Sequence, residues 1–262
     1  MASTSLIISA GLAATTSALF AYVGLRFAQR PVSSATQRGQ RAFVTWWYAL
    51  AVATFIGATQ TLLASLGIRD LGTHVALIHL IFLFICMALW GLLSYLVFVY
   101  TGRSGLFLGI AVAYLLYYLA IVYYITLLEP IDLSIGAWRV ELIYAHQPEG
   151  FVATALGVLL VLPQILGALG YLSLYRHVDS RSQRYRVVVV STCILVWFSS
   201  SLVAQGTGAD EATLWPVVSQ AIGLVAALGI LAGYVPPRPI QRWLDIHGVE
   251  TGDVIAPHRN GG

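Results

Sequence analysis

A histidine inside an apolar run is the side chain of this protein best suited to chemistry. His79 lies in the run 75–100, whose only other ionisable side chains are Cys86, Tyr95 and Tyr100. An ionisable group at membrane depth is costly, so it indicates a ligand, a haem iron or a partner side chain. The alternative is an ordinary histidine, hydrogen-bonded to a neighbouring helix near the membrane surface.

Polar side chains recur at comparable depths in other apolar runs. A polar group that faces lipid costs free energy, so these side chains should point into the protein. There they either line a cavity open to the outside or pair across helix interfaces, and the sequence leaves both interpretations open. In the cavity interpretation the polar ligand-binding residues, besides His79, are Gln60, Gln164, Ser200 and Gln220.

Aromatic side chains near the same depth are suited to the apolar wall of a small-molecule site. The alternative for each is ordinary packing or anchoring at the membrane surface. We expect Tyr118, Trp197 and Trp215 to line the pocket. The predicted site therefore binds an apolar small molecule, with no catalytic residue and no metal ligand among its members, and its residues identify no cofactor.

Composition shows what kind of molecule must position these residues. The chain has 262 residues, of which 58% are hydrophobic and 10% are charged. Soluble domains carry about 25% charged residues, so lipid must be the solvent for much of this surface. The net charge of +3 is small and lies in the loops, which indicates topology and not a nucleic-acid partner. We predict a multi-pass protein of the cell membrane.

Seven apolar runs are each long enough to cross a bilayer, which takes about 20 residues. They predict an all-α bundle of seven transmembrane helices in one domain, 1–237, followed by a cytoplasmic tail, 238–262. A helix cannot continue through Pro236 and Pro237, so the last span ends there. The predicted spans are 5–27, 42–66, 74–100, 106–128, 151–175, 187–205 and 213–235.

Only one loop between the spans is long, and it contains an alternating pattern. Trp138, Val140, Leu142 and Tyr144 alternate with other residues, as in a strand with one buried face. We expect a hairpin within 131–147 that lies over the mouth of the bundle.

The arginines predict the orientation of the bundle. Twelve of them fall in the links after the first, third and fifth spans and in the tail, and only Arg69 and Arg139 fall on the other side. Cytoplasmic loops carry the excess of basic residues. The N-terminus is therefore predicted to lie outside and the C-terminus in the cytoplasm.

The segment 194–231, ILVWFSSSLVAQGTGADEATLWPVVSQAIGLVAALGIL, resembles the last two helices of microbial rhodopsins. In that family a tryptophan-bearing helix precedes a short glycine-rich loop, and Trp197 matches a pocket tryptophan. The resemblance implies seven helices with the N-terminus outside. The family attaches retinal to a lysine of the last helix, but this chain contains no lysine, so covalent retinal and a retinal photoreceptor are excluded.

A second resemblance is to the membrane input regions of prokaryotic sensor proteins. It rests on RYRVVVVSTCILVWFSS at 184–200 and on GYVPPRPIQRWLDIHGV at 233–249. In those proteins a segment with two prolines leads from the last helix to a signalling domain. Too few residues follow here for such a domain, so the resemblance implies a separate cytoplasmic or membrane signalling partner.

Three functions are compatible with these patterns. The first is a non-enzymatic heptahelical sensor or ligand-binding protein with an outward-facing polar and aromatic cavity. The second is a small transporter or channel, which would need polar residues along the whole path. The third is a membrane-embedded enzyme or haem protein that uses His79.

Overall fold

The computed structural model describes residues 3–29, 37–99, 130–144, 151–178, 180–206 and 214–244, with isolated positions between 109 and 119. The described chain is mostly helical. Its elements are α1 (Thr4–Ala28), α2 (Gln37–Ser65), α3 (Leu71–Val99), β1 (Pro130–Ile135), β2 (Val140–Tyr144), α4 (Phe151–Ser173), a 3-10 turn (Leu174–His177), α5 (Arg181–Gly206), α6 (Trp215–Tyr234) and α7 (Arg238–Trp243).

Four of these helices are long and apolar enough to cross a membrane, as expected for an all-α membrane protein. They are Thr4–Ala28, Gln37–Ser65, Leu71–Tyr95 and Trp215–Tyr234, and α4 adds a shorter apolar segment, Val161–Ser173. The fourth predicted span, 106–128, lies largely outside the described residues. The five positions described within it are helical: Gly109, Val112, Leu115, Leu116 and Leu119.

Two helices begin earlier than hydropathy predicts. The predicted starts were 42 and 187, whereas α2 begins at Gln37 and α5 at Arg181. The predictions began at the first apolar residues, but arginine and glutamine are good helix formers and extend the helices into water. At the start of α5, the hydroxyl of Ser180 also accepts a hydrogen bond from the backbone N–H of Gln183, at 3.2 Å, which caps that helix.

The helices form a closed ring of neighbours. Each of α1 to α5 packs on the next one, and α6 packs on α1. The helices α1 and α6 run parallel, because Ser9 meets Gln220 near their N-terminal ends and the ring of Phe27 lies 4.4 Å from that of Tyr234 near their C-terminal ends.

The bundle has two chemically distinct ends. The hairpin end carries β1 and β2 beside the N-terminal ends of α1, α3 and α6. The arginine end carries the C-terminal ends of α1, α3, α4 and α6 and the N-terminal ends of α2 and α5. The described arginines of the arginine end are Arg26, Arg38, Arg41, Arg176, Arg181, Arg184, Arg186, Arg238 and Arg242.

The hairpin is antiparallel, as the alternating pattern predicted. Leu133 lies opposite Leu142 and Ile135 opposite Val140. β1 contacts α3, and β2 contacts α2. The hydroxyl of Ser9 donates to the carbonyl oxygen of Trp138 at 2.9 Å, which attaches the turn of the hairpin to α1.

Small residues let the helices approach closely. A Cβ on Gly91 of α3 would lie 2.6 Å from the backbone nitrogen of Trp46, so α2 and α3 touch through their backbones here. The glycines of α6 act in the same way, because a Cβ on Gly233 would lie 2.8 Å from Val190 and one on Gly229 would collide with Cys193. This GxxxG pair therefore packs within the bundle.

Candidate functional site

The best candidate site is a cavity inside the ring, in the half of the bundle towards the arginine end. Its volume is about 30 Å³. It lies between α2, α3, α4, α5 and α6, and its polar and aromatic lining residues are Phe43, Trp46, Tyr95, Gln164, Tyr171 and Tyr234.

Gln164 is the polar centre of this cavity. Its side chain is 3% exposed, and its Oε1 has no hydrogen-bond partner among the described residues. It follows Pro163, which is buried inside α4 and has no N–H to donate to the carbonyl of Leu159. An unpaired buried acceptor costs about 1–3 kcal/mol, so a donor from a water or a ligand is expected here.

Trp46 supplies the matching donor. Its indole Nε1 is buried and has no partner among the described residues, and its side chain lines the same cavity as Gln164. A cavity needs about 10–15 Å³ for one water, so this one accommodates about two. A hydroxyl compound could also donate to the amide oxygen and accept from the indole. The site is therefore suited to a small molecule with one hydroxyl and an apolar body.

The buried guanidinium of Arg186 contacts the ring of Tyr234, one of the aromatic residues that line the cavity. The guanidinium carbon of Arg186 lies 5.8 Å from the ring centroid of Tyr234, which lines the cavity. Arg186 is 5% exposed, and its Nε has no partner among the described residues. The cation–π interaction stabilises this arrangement and connects the cavity wall to the arginine surface.

The predicted residue Gln220 takes part in a junction at the hairpin end and not in the cavity. Its Oε1 accepts a hydrogen bond from the Ser9 hydroxyl at 2.8 Å. The same hydroxyl lies 2.9 Å from the carbonyl of Trp138, and it has one hydrogen to donate. With the amide turned over, the nitrogen of Gln220 donates to Ser9, and Ser9 donates to Trp138. In either arrangement, hydrogen bonds through Ser9 join α1 to α6 and to the hairpin.

The expected burial of His79 is wrong. His79 is exposed on the surface of α3, and His74 is buried instead, at 0% exposure. The Nε2 of His74 lies 3.0 Å from the carbonyl oxygen of Ile68, in the turn that precedes the helix. Two residues that are five positions apart on a helix point in different directions, so only one of the two histidines can face inwards. The turn at Gly67, with a φ of 82°, brings the acceptor to His74.

The other predicted residues are distributed through the bundle. Gln60 is 6% exposed, and its Nε2 is unpaired among the described residues, as is the Nε1 of Trp215. Ser200 donates to the carbonyl of Trp197 in its own helix, at 2.7 Å. The ring of Trp197 packs 4.8 Å from that of Phe20, as a core residue. Tyr118 lies outside the described residues.

Of the residues predicted to line an outward-facing cavity, Gln164 is the one that lines this cavity, which lies towards the arginine end, and the aromatic residues around it were not predicted. Trp46 stands near the predicted start of its span at 42, where aromatic residues are typical of the headgroup level. Hydropathy does not give the direction in which its side chain points, and in the structure that side chain lines the cavity.

Comparisons of the chain with protein-family models, with curated proteins and with solved structures find no match. The resemblances to microbial rhodopsins and to sensor input regions stay predictions.

Proposed function

We propose that this chain is a non-enzymatic seven-helix membrane sensor or ligand-binding protein. The observation that carries the proposal is the cavity inside the ring, where a buried amide oxygen and a buried indole N–H both lack partners among the described residues. Buried polar groups are almost always paired, so such a site is suited to a bound molecule.

The direction of the helices supports seven spans. α3 ends at the arginine end with Val99, and the hairpin begins at Pro130 at the opposite end. The intervening segment of about 30 residues would reach about 45 Å as a helix, which allows one crossing of a bilayer core of about 30 Å but not three. With that crossing the spans number seven.

The distribution of arginines supports an orientation with the hairpin outside. Among the described residues, Arg69 and Arg139 lie at the hairpin end, and the other described arginines lie at the opposite end. By the positive-inside rule the arginine end faces the cytoplasm and the N-terminus lies outside. The cavity would then lie in the cytoplasmic half of the bundle and not face outwards, and an apolar ligand would enter it through the bilayer.

The small volume of the cavity suggests how binding would produce a signal. Sites for small molecules measure about 300–1,000 Å³, which is larger than this cavity. A ligand that binds between Gln164 and Trp46 would therefore favour a wider arrangement of the helices. A ligand shifts a conformational equilibrium by its differential affinity for the two states, and here the change would reach the arginine surface through Tyr234 and Arg186. A cytoplasmic or membrane partner would detect it there.

A transporter or channel is the alternative, and the packing at the arginine end is an argument against it. Phe27, Phe43 and Tyr234 contact one another there, with ring centroids 4.4–6.1 Å apart. These rings form an apolar packed layer at this end within the described part of the chain. Flux of small solutes into liposomes that contain the purified protein would favour transport over sensing.

A haem protein or membrane-embedded enzyme that uses His79 is the third candidate. His79 is exposed on α3, so an axial ligand there would hold the cofactor at the surface of the bundle. The absorption spectrum of the purified protein tests this directly. A haem or carotenoid spectrum would replace our proposal with a cofactor-binding function.

The decisive experiment uses phenol as a probe, because it joins an apolar ring to one hydroxyl that both donates and accepts. We expect phenol to raise the thermal unfolding temperature of the purified protein more than benzene does. Gln164→Leu should abolish that difference, because the amide oxygen is the acceptor for the hydroxyl.

The matched control is Gln60→Leu, which removes another buried amide towards the hairpin end. It should keep the full response to phenol. An equal response in the wild type and in Gln164→Leu would contradict a ligand site at this cavity.

A further inference from the structure

A second concave surface lies outside the ring, where α4 meets α5 at the arginine end. This groove has a volume of about 580 Å³ and is lined by Leu169, Leu172, Ser173, Tyr175, Arg176 and Val188. Sites for small molecules measure about 300–1,000 Å³, so the groove is large enough for one. We call it the α4–α5 groove.

An apolar stripe leads into the groove along α4. Leu162, Leu166 and Leu169 are 42%, 57% and 48% exposed and recur at intervals of four and three residues, so they lie on one face of the helix. α5 contributes Val188, which is 40% exposed. An apolar face of this kind on an apolar helix is suited to contact with lipid chains.

The polar end of the groove presents a cation that no described residue neutralises. Arg176 is exposed, and no hydrogen bond or ion pair joins it to the described residues. Its neighbour Arg184 differs, because its Nε donates to the carbonyl of Val178 at 2.7 Å and its guanidinium stacks 5.5 Å from the ring of Tyr175. Arg184 is therefore occupied in holding the turn, and Arg176 is available for a ligand.

The Ser173 hydroxyl, which lines the groove, already donates a hydrogen bond within its own helix. Ser173 donates to the carbonyl of Gly170 at 2.6 Å, which leaves it without a demand for a partner. The groove thus offers an apolar channel that ends at Arg176, a cation without an ion-pair partner in the part of the chain that the structure describes. That combination is complementary to an amphiphile with an anionic head and a hydrocarbon tail.

We propose that the α4–α5 groove binds an anionic phospholipid, with one acyl chain along Leu169 and Leu172 and the phosphate paired with Arg176. Guanidinium groups bind phosphate through two parallel hydrogen bonds. The surrounding arginine end adds a positive field that attracts anionic headgroups. This inference does not depend on the ligand-binding function of the internal cavity.

Native mass spectrometry of the full-length protein, released from micelles that contain equal amounts of phosphatidylglycerol and phosphatidylcholine, tests the proposal. We expect the protein to retain phosphatidylglycerol in preference. Arg176→Gln should weaken that binding roughly fivefold, as expected for the loss of one surface arginine. Equal retention of the two lipids, or an unchanged affinity in Arg176→Gln, would overturn the proposal.

Two further variants separate the head from the tail. Leu169→Trp fills the apolar channel and leaves Arg176 intact, so this variant should retain less phosphatidylglycerol than the wild type. In a separate experiment, inorganic phosphate added to the wild type should not displace the bound lipid. Full displacement of the lipid by millimolar inorganic phosphate would show a free-anion site instead and would contradict the acyl-chain contact. Arg69→Gln, an exposed arginine of the hairpin end, is the matched control and should bind phosphatidylglycerol like the wild type.

Discussion

The two ends of the bundle are held together by different forces. At the hairpin end, single directional hydrogen bonds join the elements, such as Ser9 with Gln220 and with Trp138. At the arginine end, aromatic rings and glycines form continuous packing, such as Phe27 against Tyr234 and Gly233 against Val190. The difference predicts that the arginine end determines the stability of the bundle and that the hairpin end opens more easily.

The largest effect should come from the aromatic core. Trp47 is 0% exposed and its ring contacts those of Phe20, Phe43 and Trp46. Trp47→Ala would leave a large cavity and should lower the free energy of unfolding by about 3–5 kcal/mol. Denaturation of the purified protein in one detergent measures the effect. Trp243→Ala is the control, because Trp243 is 73% exposed, and a similar loss there would show that the effect does not depend on burial in the aromatic core.

A glycine contact should give the next largest effect. Gly91→Ala places a Cβ 2.6 Å from the backbone nitrogen of Trp46, so α2 and α3 must separate. We expect a loss of about 1–3 kcal/mol in the free energy of unfolding, measured by the same denaturation.

Gly11→Ala is the matched control for this substitution. A Cβ on Gly11 of α1 meets nothing within 4 Å, so the substitution should be neutral or slightly stabilising through helix propensity. An equal cost for both alanines would mean that close approach of α2 and α3 is unimportant.

The hairpin end should respond locally to the loss of its junction. Ser9→Ala removes the hydroxyl that joins Gln220 and Trp138, and it should cost about 1–2 kcal/mol. The clearer signature is faster hydrogen exchange of the amides of 130–144, because the hairpin loses its attachment to α1. Thr15→Ala, whose hydroxyl bonds only to the carbonyl of Gly11 among the described residues, should leave that exchange unchanged.

The smallest predicted effect is a pH dependence at the start of α3. Hydrogen bonds from the side chain and then the backbone N–H of Thr73 lower the pKa of the Asp70 carboxyl, and the charge of His74 adds a smaller contribution. A carboxyl with a lowered pKa in the folded state stabilises it at neutral pH, and that stabilisation is lost as the pH falls through the folded-state pKa.

Asp70→Asn should remove this contribution and keep the helix cap, because asparagine also accepts from the helix N–H groups. Thermal unfolding of both proteins over an acidic pH series measures it. Parallel pH profiles for the two proteins would show that the Asp70 carboxylate contributes nothing.

The positions of the helices and the hairpin could be predicted because they depend on local patterns. Runs of apolar residues identify α1, α2, α3 and α6, and alternation identifies the strand β2 around Leu142. The starts of α2 and α5 were misplaced because hydropathy detects the apolar part of a helix and not its polar first turns.

The sequence by itself determined that the chain is a helical membrane protein with no lysine for retinal, and it predicted that most of the arginines lie on one side. Only the tertiary structure decided that His74 and not His79 is buried, and that Gln164 meets Trp46 at a cavity while Gln220 pairs with Ser9. Hydropathy fixes how deep a residue lies along a helix, but the rotation of each helix about its axis depends on packing. Contacts such as Gly91 against Trp46 set that rotation, and they join residues that are far apart in the chain.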